Sequence, residues 1–459
     1  MNIKEILSLA PSDAVQQLTP KHAVPKPWSD LVKEYDPTRH EVNNKAIYPD
    51  KVLPDGSLER VTRITLGFQR LAVKRMAELV CGIPIKRNYA PHDKKQEEAA
   101  AILEAVYTRN RIDSLNTDRF NALFAGCEIL SLWYATEEQN DLYGFTSPLK
   151  LRVRTFSPMK GDELYPLFDP FGDLIALSIG TRRKENNKEV RYLDTYTSDR
   201  HIAYREGDGG WTIATEETIT IGKIPGVYCM RPTPIWEDTS SLVSEMEWSL
   251  SRNGNYLRKN SKPIFAVFAD EQIYFGDEED GAKEARAVVQ YPKGSTAGYL
   301  TWNQAIDSLK FYIAELRQSF FTQLQLPDWS YESMKATPMS GESRKQLFID
   351  CHLKVKDESG RIAEFLDRET NVIKAFLKLI RPDLAEAFDS LECESEITPF
   401  SLTEEGDTIR NLVAASGGEA LISQREAVRL LGWSSDPEET IRQINQQKQA
   451  DLFHPEPNL

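Results

Sequence analysis

The chain has 459 residues, with 56 Lys plus Arg against 70 Asp plus Glu and a formal net charge of −14. That length supports two or three domains and a substantial core. The acidic balance argues against tight, non-specific duplex binding, which depends on neutralising phosphates. No stretch approaches the apolar run of a membrane-spanning helix, and Met1–Ala10 is too short and too acidic for a signal peptide, so a soluble protein made inside the cell is expected. The five cysteines, Cys81, Cys127, Cys229, Cys351 and Cys393, show no C-x-x-C pair and no histidine at zinc-site spacing, so reduced thiols are expected.

Residues 1–55 are rich in Pro, Asp and Lys and read as an arm with little core. Val61 to Val80 reads as a helix carrying Ile64, Leu66, Phe68, Leu71, Val73, Met76 and Leu79, closed by Cys81-Gly82-Ile83-Pro84. Amphipathic helices follow at Lys95 to Arg109 and Ser114 to Leu130, giving way to strand-like sequence at Leu130 to Ala135. From Leu149 to Met230 the period changes to strands and turns. Leu151–Arg154 alternates, Asp169–Asp173 and Gly207–Gly210 are turns, and Arg191–Thr197 and Ile202–Tyr204 continue the strands. The expectation is a mixed α+β unit.

Pro232 and Pro234 end that region. A helix from Thr239 to Arg258 carries Leu242, Met246, Leu250 and Leu257, with Gly254 weakening its far end. Residues 261–301 read as a small insertion with strands at Pro263–Phe268 and Ala287–Tyr291. Its tip holds Asp277, Glu278, Glu279 and Asp280 between glycines. Two readings stand for this tip, a solvated turn and a knob for docking a partner; the spacing is not that of a calcium loop.

From Trp302 a helix runs to Leu326 with Ile306, Leu309, Ile313, Leu316, Phe320 and Leu324 on one stripe. Asp307, Lys310 and Arg317 lie opposite, either as a solvated face or as the wall of a channel that guides DNA without holding it. Phe320-Phe321 is expected to pack against a neighbouring subunit, since duplex DNA offers no exposed base faces for stacking. A loop from Pro327 to Met339 follows, either a surface connection with Trp329, Tyr331, Met334 and Met339 tucked in, or a functional element. Ser340 then reads as the N-cap of a long helix through Leu347, Cys351, Val355, Ile362, Phe365, Leu366, Ile373, Phe376 and Leu377 to Ile380, stopped by Arg381-Pro382. Two helices framing such a loop suggest mechanical architecture rather than a pocket. Residues 382–402 form a mixed connection, followed by short helices at Glu405–Ala415 and Gln424–Leu431, a third from Pro437 to Ala450, and a loose tail.

No phosphate-binding G-x-x-x-x-G-K-[ST], no G-x-S-x-G and no H-E-x-x-H occurs, and the six histidines are far apart. No enzyme activity, cofactor or resident metal is expected. A nuclease using scattered acids would escape this search and would need metal-dependent DNA cleavage.

A string of features in fixed order carries a family resemblance. Gly222-Lys223-Ile224-Pro225-Gly226-Val227, Asp238-Thr239-Ser240-Ser241-Leu242, Glu315-Leu316 through Phe320-Phe321 to Leu326-Pro327-Asp328, and Ser340-Gly341-Glu342-Ser343 come in turn. Leu421-Ile422-Ser423-Gln424-Arg425-Glu426-Ala427 and Asp436-Pro437-Glu438-Glu439 close the series. Across residues 60–445 the chain resembles the portal proteins of tailed bacteriophages, of the siphophage type. Ser343 departs from the alanine common there.

The resemblance implies an arm at 1–55, an α/β wing at 56–235, a first stem helix at 236–260, a clip at 261–301 and a second stem helix at 302–326. A tunnel loop at 327–339, a long wing helix at 340–381, and a connection, helical crown and tail at 382–459 would follow. It implies that Met334, Lys335, Ala336, Thr337, Pro338 and Met339 face DNA, with Lys335 touching phosphates weakly and Asp328 and Glu332 keeping the rim from becoming sticky. The implied function is a homo-oligomeric ring, expected to be a dodecamer, at one capsid vertex of the virion. Double-stranded DNA would enter through it during packaging and leave during ejection. The implied partners are the terminase large subunit, major capsid and scaffolding proteins, and a head-completion adaptor. The competing reading is another head–tail connector or adaptor, which would form a ring without the stem and clip insertion.

Overall fold

The computed structural model describes residues 3–20, 24–185, 187–260, 264–268, 296–300, 306–326, 328, 348–400, 405–416, 421–432, 434 and 437–453. The chain divides into two compact units, one of residues 1–326 with 357–398 and one of residues 327–356 with 399–459.

In the first unit, α1 (Ile3–Leu7), α2 (Pro11–Leu18) and α3 (Trp28–Tyr35) lead to a short hairpin of β1 (Lys51–Val52) and β2 (Leu58–Glu59). Then come α4 (Phe68–Cys81), β3 (Lys86–Ala90), α5 (Lys94–Arg109) and α6 (Ile112–Gly126). The strands β4 (Glu128–Asn140), β5 (Ser147–Phe156), β6 (Glu163–Phe168), β7 (Leu174–Glu185), β8 (Lys188–Tyr196), β9 (Arg200–Gly207), β10 (Gly210–Thr218) and β11 (Gly226–Met230) follow. Strands β6 to β10 form an antiparallel meander, in which Asp169–Asp173 and Gly207–Gly210 make hairpin turns as expected. Strands β11, β4 and β5 form a second sheet in that order.

Alternation along β7 sets the core, because neighbouring residues of a strand face opposite sides. Leu177 and Ile179 point to the second sheet, where Leu130, Leu132, Phe156 and Tyr228 meet them. Gly226 makes this packing possible, since a Cβ there would lie 2.6 Å from Leu177 Cδ2. Ala176, with Leu193, Ile202 and Tyr204, faces the other way and is covered by Ile6, Ala14, Val15 and Leu18 of α1 and α2. Residues 1–55 are therefore not an arm with little core. They supply one wall of the meander, and Leu31 and Val42 are buried as well. The local signal is faint because helices of five and eight residues show only one or two apolar positions per turn.

The segment 61–67 is also not helical; α4 starts at Phe68, after Gly67. The remaining elements of this unit include α7 (Ser240–Asn260), the antiparallel pair β12 (Ile264–Phe268) and β13 (Thr296–Leu300), and α8 (Ile306–Leu324). Strand β13 is an addition to the expected elements, whereas Ala287–Tyr291 lies outside the described residues. The long helix α9 (Ile349–Ile380) is followed by α10 (Ala385–Ser390) and β14 (Glu392–Glu396), which lies in sequence read as connection and pairs with β3, an element the sequence does not announce.

Helix α9 is fixed to α6 and β4 by a polar knot. Arg119 Nη1 donates to Glu369 Oε1 at 2.6 Å and to Ser131 Oγ at 2.9 Å, and Trp133 Nε1 donates to the same Glu369 oxygen at 2.8 Å. Both charged side chains are fully buried, so each depends on the other for compensation.

In the second unit, Cys351 and Val355 of the first α9 turns are buried. Three further helices, α11 (Glu405–Ser416), α12 (Gln424–Leu431) and α13 (Pro437–Phe453), pack consecutively. Ser423 caps α12 by accepting from Glu426 N, and Gly432 ends it at φ 70°, the left-handed stop that favours glycine. No described helix is long and apolar enough to cross a membrane.

Candidate functional site

The helices expected to frame a channel, α7 and α8, contact each other in opposite chain order. Tyr312 faces Glu245, while the far end of α8 meets the turn Glu237–Thr239 that precedes α7. They form an antiparallel hairpin, and residues 261–305 join the two helices in sequence.

Asp307, Lys310 and Arg317 are exposed on α8. Arg317 leans over the Phe321 ring, its guanidinium carbon 6.0 Å from the centroid. This face is not purely polar. Phe311 lies among the charged residues with 67% of its surface exposed, and Tyr312 beside it is exposed too. Burial on the opposite stripe grows along the helix, from half-buried Leu309 and Ile313 to buried Phe320 and Leu324.

Phe320 and Phe321 do not project to a neighbouring subunit. Both are buried against Phe68 of α4, with ring centroids 5.0 and 6.1 Å away, and Arg75 sits over Phe321 at 5.0 Å. The aromatic pair anchors α8 to its own subunit, because α4 begins with a phenylalanine at the point of contact. Met334–Met339, including Lys335, and Asp277, Glu278, Glu279 and Asp280 lie outside the described residues.

Helix α7 is held along most of its length by elements the sequence reading placed elsewhere. At its start, Trp236 is fully buried, its Nε1 donates to Glu34 Oε2 at 3.1 Å, and Ser240 Oγ donates to the same carboxylate. Tyr48 meets Trp248 edge-on at 5.1 Å. From Glu247 onwards the extended segment 61–67 runs antiparallel to the helix. Thr62 N donates to Asn255 Oδ1 at 2.5 Å, Ile64 N to Ser251 Oγ at 2.9 Å, and Leu66 N to Glu247 Oε1 at 2.6 Å. Alternate amides of an extended chain are spaced by about 6.6 Å, and every fourth helical residue by about 6 Å, so the two periods match. The Glu247, Ser251, Asn255 spacing was visible in the sequence but had no meaning without knowing what lay opposite.

Two buried titratable groups stand out in this unit. His40 lies between Glu247 and the Glu34 carbonyl. Burial works to lower its pKa, but the hydrogen bond and charge of Glu247, helped by the Glu34 carbonyl and Asp36, hold it above the ordinary histidine value. Glu128, which accepts from Tyr228 OH at 2.7 Å, is pushed up to about 7 by burial. Burial also pushes the Cys127 and Cys229 thiols up to about 12, which leaves them inert rather than nucleophilic. Among the described residues no group of His, Cys, Asp and Glu is placed to hold a metal ion.

Among the described residues, what the geometry offers is a clamped helical hairpin. Residues 30–452 match the family described as phage portal protein, SPP1 Gp6-like. The chain belongs to this family. The family is structural, and the protein is a portal protein rather than an enzyme. No curated protein sequence matches the chain. Among solved structures it is similar to a chain in the neck of an empty gene transfer agent (GTA) particle computed with C6 symmetry, at 10% identity and a TM-score of 0.40 over 87% of this chain and 95% of that one. It is also similar to a chain of the virion of a native GTA particle, at 10% identity and a TM-score of 0.41 over 89% and 94%. A chain in the neck of a native GTA particle computed with C12 symmetry gives 11% identity and a TM-score of 0.41 over 90% and 94%.

Proposed function

We propose that the chain is the repeating subunit of a closed ring at one vertex of a phage capsid, with double-stranded DNA passing through its centre during packaging and ejection. Family membership over nearly the whole chain carries this reading. The α7–α8 hairpin supports it, since an antiparallel pair with one helix clamped along its length and an insertion between the two is suited to a channel stem with a clip. In this reading Asp307, Lys310 and Arg317 line or flank the channel, 327–339 is the tunnel loop that meets DNA, and the acidic tip at 277–280 docks a packaging or head-completion partner. The expected ring is a dodecamer. Its partners would be the terminase large subunit, capsid and scaffolding proteins and an adaptor, and its place is the portal vertex of particles assembled in the host cytoplasm.

A ring of identical heterologous contacts closes by rotation, which makes subunit number the decisive observation. End-on electron micrographs of the purified protein are expected to show closed rings of about twelve subunits with a hole of duplex width. A uniform monomer or compact dimer, at high concentration and with scaffolding protein added, would defeat the reading.

A further inference from the structure

His40 sits where three segments meet, and its hydrogen bonds do not balance for a neutral ring. Nδ1 lies 2.6 Å from Glu247 Oε1 on α7, and Nε2 lies 2.7 Å from the Glu34 carbonyl oxygen at the end of α3. A neutral imidazole has one N–H, and a carbonyl oxygen can only accept, so that proton belongs on Nε2. The contact on the other side then needs a second proton, on Nδ1 or on Glu247. Glu247 Oε1 also accepts from Leu66 N at 2.6 Å, which favours an ionised carboxylate and leaves the proton on His40.

We infer that the His40–Glu247 pair holds one proton beyond a neutral imidazole and a carboxylate, and that this proton makes the junction of residues 28–47, 61–67 and α7 a pH-sensitive clamp. The other charged groups around it are already committed. The Glu34 carboxylate serves Trp236 and Ser240. Asp36 accepts from Arg70 at 2.7 Å and lies 3.7 Å from Arg39. Arg63 pairs with Asp50 at 2.8 Å. Deprotonation of His40 thus leaves Glu247, itself buried, as a carboxylate without a cationic partner.

The direction follows from linkage. A group that binds its proton more tightly in the folded chain stabilises it fully below the free-histidine value of about 6.5, and that contribution is lost as pH rises through the folded value. The release is local, because the hydrogen bonds of the pair run to these three segments.

Hydrogen exchange on the full-length protein, corrected for intrinsic rates and compared between pH 6 and pH 9, tests this. Peptides covering 28–47 and 61–67 are expected to open more readily by up to tenfold per pH unit above about 6.5 until the folded value is passed. A control peptide from 362–377 of α9 should change far less. His40→Gln should open those peptides at both pH values and abolish the dependence. Glu247→Gln, which keeps an acceptor for Leu66 N but removes the charge, should flatten it if the first variant does not fold. Equal protection at both pH values in the wild type, or a variant that keeps the wild-type dependence, would overturn the inference. The readout is local to the subunit and does not depend on whether rings form.

Discussion

A Cβ on Gly254 would lie 2.8 Å from Thr62 Cγ2, so the close approach of the extended segment to α7 depends on glycine at that position. Thr62 cannot easily turn aside, since its amide is bonded to Asn255 and its hydroxyl to Arg258. Gly254→Ala would gain up to about 1 kcal/mol in helix propensity. The added methyl in a tight contact is expected to outweigh this, for a net loss of about 1–2 kcal/mol in urea melts. Thr62→Ser removes the colliding methyl and keeps the hydroxyl, so the same alanine in that background should cost markedly less. Equal costs in both backgrounds would rule out the contact as the cause.

The Arg119–Glu369 knot predicts asymmetric mutational effects. Glu369→Gln leaves Arg119 buried without its counter-charge and is expected to cost about 3–5 kcal/mol, read from denaturant midpoints. Replacing both residues with Met removes both buried charges and should cost less than the single change, although Trp133 Nε1 then loses its acceptor.

Glu128 predicts a loss of stability with rising pH. Its folded value of about 7 lies above the ordinary 4.5, so the folded chain binds the proton more tightly than the unfolded chain. Stability from this residue is therefore fully present below about 4.5 and declines as pH rises towards about 7, by on the order of 3 kcal/mol at most. Glu128→Gln keeps an oxygen for the Tyr228 hydroxyl and should remove that decline from melting curves recorded between pH 5 and pH 8.

Two phenylalanines on α8 should separate folding from assembly. Phe320→Ala opens a hole against Phe68 and is expected to destabilise the subunit by about 3–5 kcal/mol. Phe311→Ser touches an exposed side chain and should shift the subunit's stability by less than about 0.5 kcal/mol. If α8 lies at a ring interface or channel wall, the second change should instead lower the fraction of protein in rings by sedimentation. Unchanged ring formation would take Phe311 out of the interface.

The sequence showed most helices and the hairpin turns because those signals are local. Periodicity alone gave α5, α7 and α8 to within a few residues, and the ordered motifs carried the family. What stayed hidden was set by partners far along the chain. Val61, Ile64 and Leu66 suit a helix stripe, yet the side chains of Glu247, Ser251 and Asn255 offer the amides of Leu66, Ile64 and Thr62 a better arrangement in extended form. Strand β14 exists because β3 lies alongside it, Cys393 opposite Tyr89, and neither has a strong strand pattern of its own. The packing of Phe320-Phe321 within its own subunit is hidden for the same reason, since nothing in residues 315–326 announces Phe68.

The three amide bonds between 62–66 and α7 work like a detent. A small axial push on the helix cannot be absorbed by creep, because a half-step brings the amides at 63 and 65 into register, and these point away from it. The helix stays seated until the three bonds release, and one turn further on, roughly 5–6 Å, only two of the three acceptors would again meet an amide, because Val243 or Lys259 takes the third place. Load applied along the hairpin is thus handed to segment 61–67 and to α4, which follows it directly, and any displacement it causes arrives as a click rather than a drift.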